Sequence, residues 1–158
     1  AVLVSFQAGD DPRLVLTKRS SRLRHHPGQI AFPGGKVDPA DRNAIDTALR
    51  EAEEEVGLRR DSVEILGTMP PHETVTGFSI TPVLGWIRDR FEPIPETGEV
   101  DEVFTVPYSH VADARNFVVE SRFYRGARRH FYTVPYGPYY VWGATARILR
   151  ALVEGIQE

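Results

Sequence analysis

A chain of 158 residues, 41% hydrophobic and 26% charged, is long enough to build one globular domain around its own core, and residues 1–158 are read as that single domain. A formal net charge of −3 gives no general attraction to nucleic acid or to an anionic membrane, so neither is an expected partner and any polyanion site must come from local clustering. The absence of cysteine excludes a disulfide framework, a thiolate nucleophile and a thiolate metal site, and no apolar run nears the roughly 18 residues of a spanning helix, so a soluble, cytoplasmic protein is expected. The chain opens at Ala1 inside a strand-like run with no initiator Met, which leaves room for a trimmed leader, and oligomeric state is open.

In chain order, residues 1–6 and 13–17 are apolar runs joined by Gly9-Asp10-Asp11-Pro12, a signal that predicts a hairpin. Residues 18–28, KRSSRLRHHPG, are polar, basic and aperiodic, and read as a loop. A short strand over 29–32 feeds the turn Pro33-Gly34-Gly35, whose glycines permit positive φ and a close approach of backbone to a ligand. A helix follows and stops at Gly57: Ile45, Leu49, Ala52 and Val56 fall on one stripe, while Glu51, Glu54 and Glu55, at i, i+3 and i+4, share another part of the circumference. Asp41, just ahead of this periodicity, is a candidate N-cap.

Those carboxylates sit in the last turns, at the negative end of the helix dipole, where like charges each cost a few tenths of a kcal/mol. A bound cation removes that penalty, and oxygen-rich clusters suit hard ions such as Mg2+ or Mn2+, the other reading being a solvated acidic face. Arg50, one turn before Glu54, can hold that carboxylate by an i,i+4 pair.

Further along, strands are predicted over 63–68 and 78–87, the second interrupted by Pro82 and Gly85, with a loop over 69–77 between them. A loop over 88–98 leads to a strand over 99–106, a short helix over 107–114 begun by Pro107, and a hairpin of 116–124 and 129–134 across Arg125-Gly126. A terminal helix over 140–157 places Val141, Ala144, Ile148 and Leu152 on one face. Hairpins outnumber strand–helix–strand units, so the pattern predicts an α/β domain with a mixed sheet and helices on its faces.

The stretch 34–58, GGKVDPADRNAIDTALREAEEEVGL, resembles the box that defines the Nudix hydrolases, G-x5-E-x7-R-E-U-x-E-E-x-G-U with U aliphatic. Arg50 to Leu58 match its second half residue by residue. The first half is one residue longer: counting forward from Gly35 puts Asp41 at the first Glu of the box, and counting back from Arg50 puts Arg42 there. The resemblance implies a Nudix-type α/β/α sandwich with a mixed β-sheet. It implies Glu51, Glu54 and Glu55, with the Gly35 carbonyl, as ligands of Mg2+ or Mn2+, and Glu54, Arg50 and Glu51 as catalytic residues, Glu53 being structural. The general base stays open between a box Glu and Glu73, Glu96, Glu99 or Glu102.

From Val15 the chain reads VLTKRSSRLRHHPGQIAFPGG, which, apart from Val15 in place of Leu, matches the signature L-L-T-x-R-[SA]-x3-R-x3-G-x3-[FP]-P-G-G of coenzyme A pyrophosphatases. The run from Trp142 to Ile148 looks like the end of the same group. This second resemblance implies a small-molecule substrate, coenzyme A or acyl-CoA, cleaved at its diphosphate to 3′,5′-ADP and 4′-phosphopantetheine or its acylated form. Arg19, Arg24 and Gly34 would bind it, Arg being suited to phosphate. His25 and His26 read as loop or packing histidines, and Arg122, Arg125, Arg128, Arg129 and His130 as charges guarding a strand edge. Other Nudix enzymes carry marks for ADP-ribose, dinucleoside polyphosphates or NADH downstream of the box, and Pro71-His72-Glu73-Thr74-Val75-Thr76 offers none in register. An isopentenyl diphosphate isomerase of the same fold would want a cysteine, and a non-catalytic nucleotide-sensing module is the reading from another class.

Overall fold

The computed structural model of the chain describes residues 1–74 and 76–157; Val75, inside the stretch expected to be a loop, lies outside them. The amino-terminal hairpin forms as expected from β1 (Val2–Gln7) and β2 (Arg13–Arg19). Alternation along the two strands sends Leu3 and Val15 to one face and Val4, Phe6, Leu14 and Leu16 to the other, and all six are buried. The basic loop then leads to β3 (Ile30–Ala31), which pairs antiparallel with the end of β2.

The box helix is α1 (Ala44–Val56). After it come β4 (Val63–Thr68), β5 (His72–Glu73), β6 (Ser79–Ile80), β7 (Pro82–Ile87), β8 (Val100–Pro107) and α2 (Tyr108–Ala112). The chain finishes with β9 (Val118–Tyr124), β10 (Ala127–Tyr136), β11 (Tyr139–Trp142) and α3 (Gly143–Gln157). In the main sheet β1 runs parallel to β7, while β2–β8 and β4–β7 are antiparallel, so the sheet is mixed.

Each face of that sheet carries its own core. Ala48, Ala52 and Val56 of α1 pack on Leu3, Val15, Val83 and Ile87, and burial of Val56 alone contributes about 1.5–3 kcal/mol. On the other face, Ala146, Ile148, Leu149, Leu152 and Val153 of α3 cover Val4, Phe6, Leu14 and Leu16 together with Val134 and Val141 of the second sheet, β9–β10–β11. The result is the expected α/β/α sandwich.

Several boundaries differ from the sequence reading. The terminal helix begins at Gly143, because Val141 pairs with Val134 as part of β11; its spacing to Ala144 imitates a helical step, and Gly143 at φ 64° turns the chain from strand into helix. The stretch expected to be a loop holds β5, and the strand expected over 78–87 is split at Thr81 into β6, which pairs with β5, and β7. The short helix is confined to α2 and is followed by a 3-10 turn, Ala114–Asn116, before β9.

Candidate active site

The helix that carries the carboxylates is capped by Asn43, whose side chain accepts the Asp46 N–H at 2.9 Å, and it ends on Gly57 at φ 74°. Asp41 is therefore not the cap. Its carboxylate takes a fork from Arg50, Nε and Nη2 both at 3.0 Å, and also accepts from the Thr47 hydroxyl and the Asp38 N–H, each at 2.8 Å. The side chain of Asp41 is 5% exposed, and the hydrogen bond from Arg50 is the main reason its carboxyl is held well below the usual range. The extra residue in the first half of the box thus lets Asp41 reach back across the helix start to Arg50.

Arg50 joins the loop to the helix. Besides Asp41 it donates to the Lys36 carbonyl at 3.2 Å, to Glu51 at 3.1 Å and, at a longer 3.4 Å, to Glu54. The expected i,i+4 pair with Glu54 exists, but Asp41 is the better-placed partner. Sequence reasoning missed this role; the signal was an acidic residue before the cap with Arg about two turns into the helix.

Glu51 and Glu55 face the glycine turn. Burial, then the charge of Glu51, pushes the Glu55 carboxyl up to about 8, against the pull of the Gly34 N–H and of Arg19, with Glu99 adding to the rise. Glu51 is also raised, chiefly by burial, with Arg50 opposing and a hydrogen bond to Glu55 linking the two carboxyls. Glu54, 51% exposed, remains with Arg50. Among the described residues no three His, Asp or Glu side chains converge into a ready metal cage.

Two partly buried, hydrogen-bonded carboxyls need either a proton or a cation between them, and that need fits a divalent ion with oxygen ligands. The glycines make room for this cluster. A Cβ on Gly35 would lie 2.6 Å from the Glu51 Cδ, and one on Gly34 would lie 2.4 Å from the Ala1 carbonyl oxygen. Neither glycine has positive φ, so close approach alone accounts for them. The Gly35 carbonyl accepts from the Ala1 nitrogen at 2.9 Å, and a carbonyl oxygen has a second lone pair to offer.

The basic loop reaches this cluster through Arg19. A bulge between Lys18 and Arg19 re-aims the end of β2, the Arg19 Nη2 donates to the His25 carbonyl at 3.2 Å, and its Nε is buried with no hydrogen-bond partner. Ser20 N–H to the Glu99 carbonyl at 2.9 Å and Gly28 N–H to the Arg19 carbonyl at 3.1 Å tie the loop down. Arg24 is exposed and makes no hydrogen bond or ion pair with any described residue, so it is not drawn into the carboxylate group. A cavity of about 460 Å3 flanks the same loop, lined in part by Lys18, His26, Gln29, Tyr139 and Trp142.

Of the candidate bases, Glu99 is the one whose charge is felt at Glu55. Glu96 donates its backbone N–H to the Glu55 carbonyl oxygen, Glu73 uses its carbonyl to accept from Arg147, and Glu102 lies opposite Lys18 on β8. Glu53 is exposed on α1.

A model of the NUDIX domain matches residues 1–126. The Nudix hydrolase NudL of Citrobacter koseri is 43% identical over 152 residues, spanning 96% of this chain and 79% of that protein. NudL of Escherichia coli K12 is 41% identical over the same shares. Among solved structures, an Ap4A hydrolase of C. elegans superposes with a TM-score of 0.59 at 17% identity, over 68% of this chain and 79% of that one. A MutT/nudix family protein of Enterococcus faecalis reaches 0.62 at 16% identity, over 99% and 61%. At those identities the structural likeness bears on the fold.

Proposed function

This chain belongs to the Nudix hydrolases, enzymes that act on phosphoric anhydrides, and from that premise we propose that it cleaves the diphosphate of coenzyme A or an acylated coenzyme A. The products are 3′,5′-ADP and 4′-phosphopantetheine or its acyl form: water adds to one phosphorus, the bridging P–O bond breaks, and each fragment leaves as a phosphate monoester. The observation that carries the reading is the electrostatic proximity of two motifs. Arg19, from the coenzyme A pyrophosphatase signature, lies within electrostatic reach of Glu55 in the Nudix helix.

Glu51, Glu54 and Glu55 with the Gly35 carbonyl would hold Mg2+ or Mn2+, which supplies charge neutralisation at the phosphoryl oxygens and a lowered pKa for water. The chain's own groups do the rest. Arg19 binds a diphosphate oxygen with the guanidinium that lacks a partner at Nε, and the Gly34 backbone allows the phosphate close to the turn. Arg50 fixes Glu51 through a short bond while its longer bond leaves Glu54 free to move toward the phosphates. Glu99 is the candidate that takes the proton from water, since its charge acts at the same place as that of Glu55. Arg24, exposed on the loop, is available to the 3′-phosphate, and the cavity beside Lys18, Tyr139 and Trp142 has chemistry suited to a phosphorylated nucleoside.

The test is product analysis by mass spectrometry over coenzyme A, ADP-ribose, NADH and diadenosine polyphosphates with Mg2+ and with Mn2+. A clear preference for coenzyme A, with 3′,5′-ADP as product, supports the proposal. Comparable turnover across the panel leaves a Nudix hydrolase of broad specificity, and metal-independent binding without turnover leaves a sensing module.

A further inference from the structure

We propose that β9 is a self-association edge: it pairs antiparallel with β9 of a second copy of this chain, on a two-fold axis through Ser121, joining two three-stranded sheets into one of six strands. In this chain β9 pairs with β10 alone among the described residues, so its outer edge is open. Open, apolar edges invite pairing with another strand. This edge carries exposed apolar side chains among polar ones: Val118, Val119 and Phe123 are 47%, 61% and 68% exposed, with Arg128 over the Phe123 ring. The exposed Glu120, Ser121 and Arg122 lie between them, so its charges guard against mismatched partners and leave a matched one open. Val119 and Phe123 lie on the face that Tyr132 and Val134 continue toward the core, so they extend a core face past the body of the protein.

The hydrogen-bonding direction of the edge is fixed by its turn. Arg125 and Gly126 form a two-residue connection with φ of 51° and 76°, a type I′ hairpin whose flanking pair is hydrogen-bonded. Counting back by twos, residues 124, 122, 120 and 118 bond to β10, and Val119, Ser121 and Phe123 direct their N–H and C=O groups outward. An antiparallel two-fold pair centres either on an outward residue, as a hydrogen-bonded pair, or on a residue bonded to β10, as a non-hydrogen-bonded pair, and a centre at Glu120 or Arg122 would set like charges opposite each other. Centred on Ser121, it sets Val119 opposite Phe123 and Glu120 opposite Arg122, each twice.

Both contacts are complementary, apolar with apolar and anion with cation. Within the chain, Glu120 accepts from the Tyr140 hydroxyl and Arg122 lies over the Phe131 and Trp142 rings, which keeps the two charges on one face of the sheet. The antiparallel arrangement also sends the two turns, with Arg125, Arg128 and Arg129, to opposite ends of the joint sheet. A tip-to-tip arrangement would bring those basic clusters together. One strand pair with two small contact sets belongs to the weak, concentration-dependent class of interface.

Sedimentation equilibrium over a concentration series tests this, with circular dichroism as the check on folding. The wild type is expected to show a reversible monomer–dimer equilibrium. Val119→Lys, at a position exposed in the monomer, should weaken the dimer by about tenfold or more. Glu120→Arg should do the same, and the double variant Glu120→Arg/Arg122→Glu should restore association. Amide exchange should show protection at Val119, Ser121 and Phe123 that grows with concentration, while 120 and 122 are protected throughout. A monomer at every concentration, or a dimer indifferent to Val119→Lys and to both charge variants, overturns the proposal, as does association only with some other protein.

Discussion

Replacing Glu55 with Gln should change how the stability of the metal-free protein depends on pH. In the folded chain the Glu55 carboxyl is raised from 4.5 to about 8, mainly by burial and then by Glu51. The folded state therefore binds more protons than the unfolded state between those two values, and stability falls as pH rises through that window. The slope is about 1.4 kcal/mol per pH unit, and the whole rise corresponds to about 3–5 kcal/mol lost by pH 8.5. Gln has no proton to lose. Urea titrations in EDTA should show the two proteins differing little near pH 5 and Glu55→Gln ahead by several kcal/mol at pH 8.5, with the wild type recovering its deficit when Mg2+ is added and the variant gaining much less. Stability curves that stay parallel from pH 5 to 8.5, or equal Mg2+ stabilisation of both, would refute the reasoning that Glu55 is a buried carboxyl awaiting a cation.

Glu51→Gln keeps the shape of the side chain and removes its charge, so turnover should fall by about a hundredfold or more with an unchanged circular dichroism spectrum. Gly35→Ala places a methyl 2.6 Å from the Glu51 Cδ, and the displaced carboxylate should lower turnover by about a hundredfold, measured beside its Mg2+-induced rise in Tm. Asn43→Ala removes the cap bond to Asp46 and should cost about 1 kcal/mol in urea unfolding, with Mg2+ affinity preserved.

The helix was legible because its information is local. The stripe of Leu49, Ala52 and Val56 and the Gly57 stop follow from a 3.6-residue period and from backbone freedom at one position, and both recur in the structure. The role of Asp41 was not legible, since the cap and the Arg50 partner compete for the same few residues and only the path of the 36–43 loop decides between Asp41 and Asn43. Val141 shows the other failure: its spacing to Ala144 suits a helix, yet pairing with Val134 wins, and that pairing depends on a neighbouring strand. The parallel β1–β7 contact likewise joins segments about eighty residues apart, with no local pattern to announce it. In the site, the residue types were visible in sequence, whereas the influence of the Arg19 charge on Glu55 depends on the path of β2 past its bulge and on the packing of the helix beside the glycine turn, neither of which has a local pattern.

The central claim, that the basic loop and the carboxylate helix form one coenzyme A site, is tested most directly by steady-state kinetics of wild type, Arg19→Ala and Arg24→Ala on coenzyme A and dephospho-coenzyme A, with ADP-ribose as the reference. Loss of a charge-assisted hydrogen bond is worth roughly 1.5–3 kcal/mol, so kcat/KM should fall about ten- to a hundredfold in each variant on coenzyme A. Arg19→Ala should lose as much on dephospho-coenzyme A, because it acts at the diphosphate, whereas Arg24→Ala should lose little there, because that substrate lacks the 3′-phosphate. Equal wild-type rates on coenzyme A and ADP-ribose, with undiminished rates in both variants, would contradict the account.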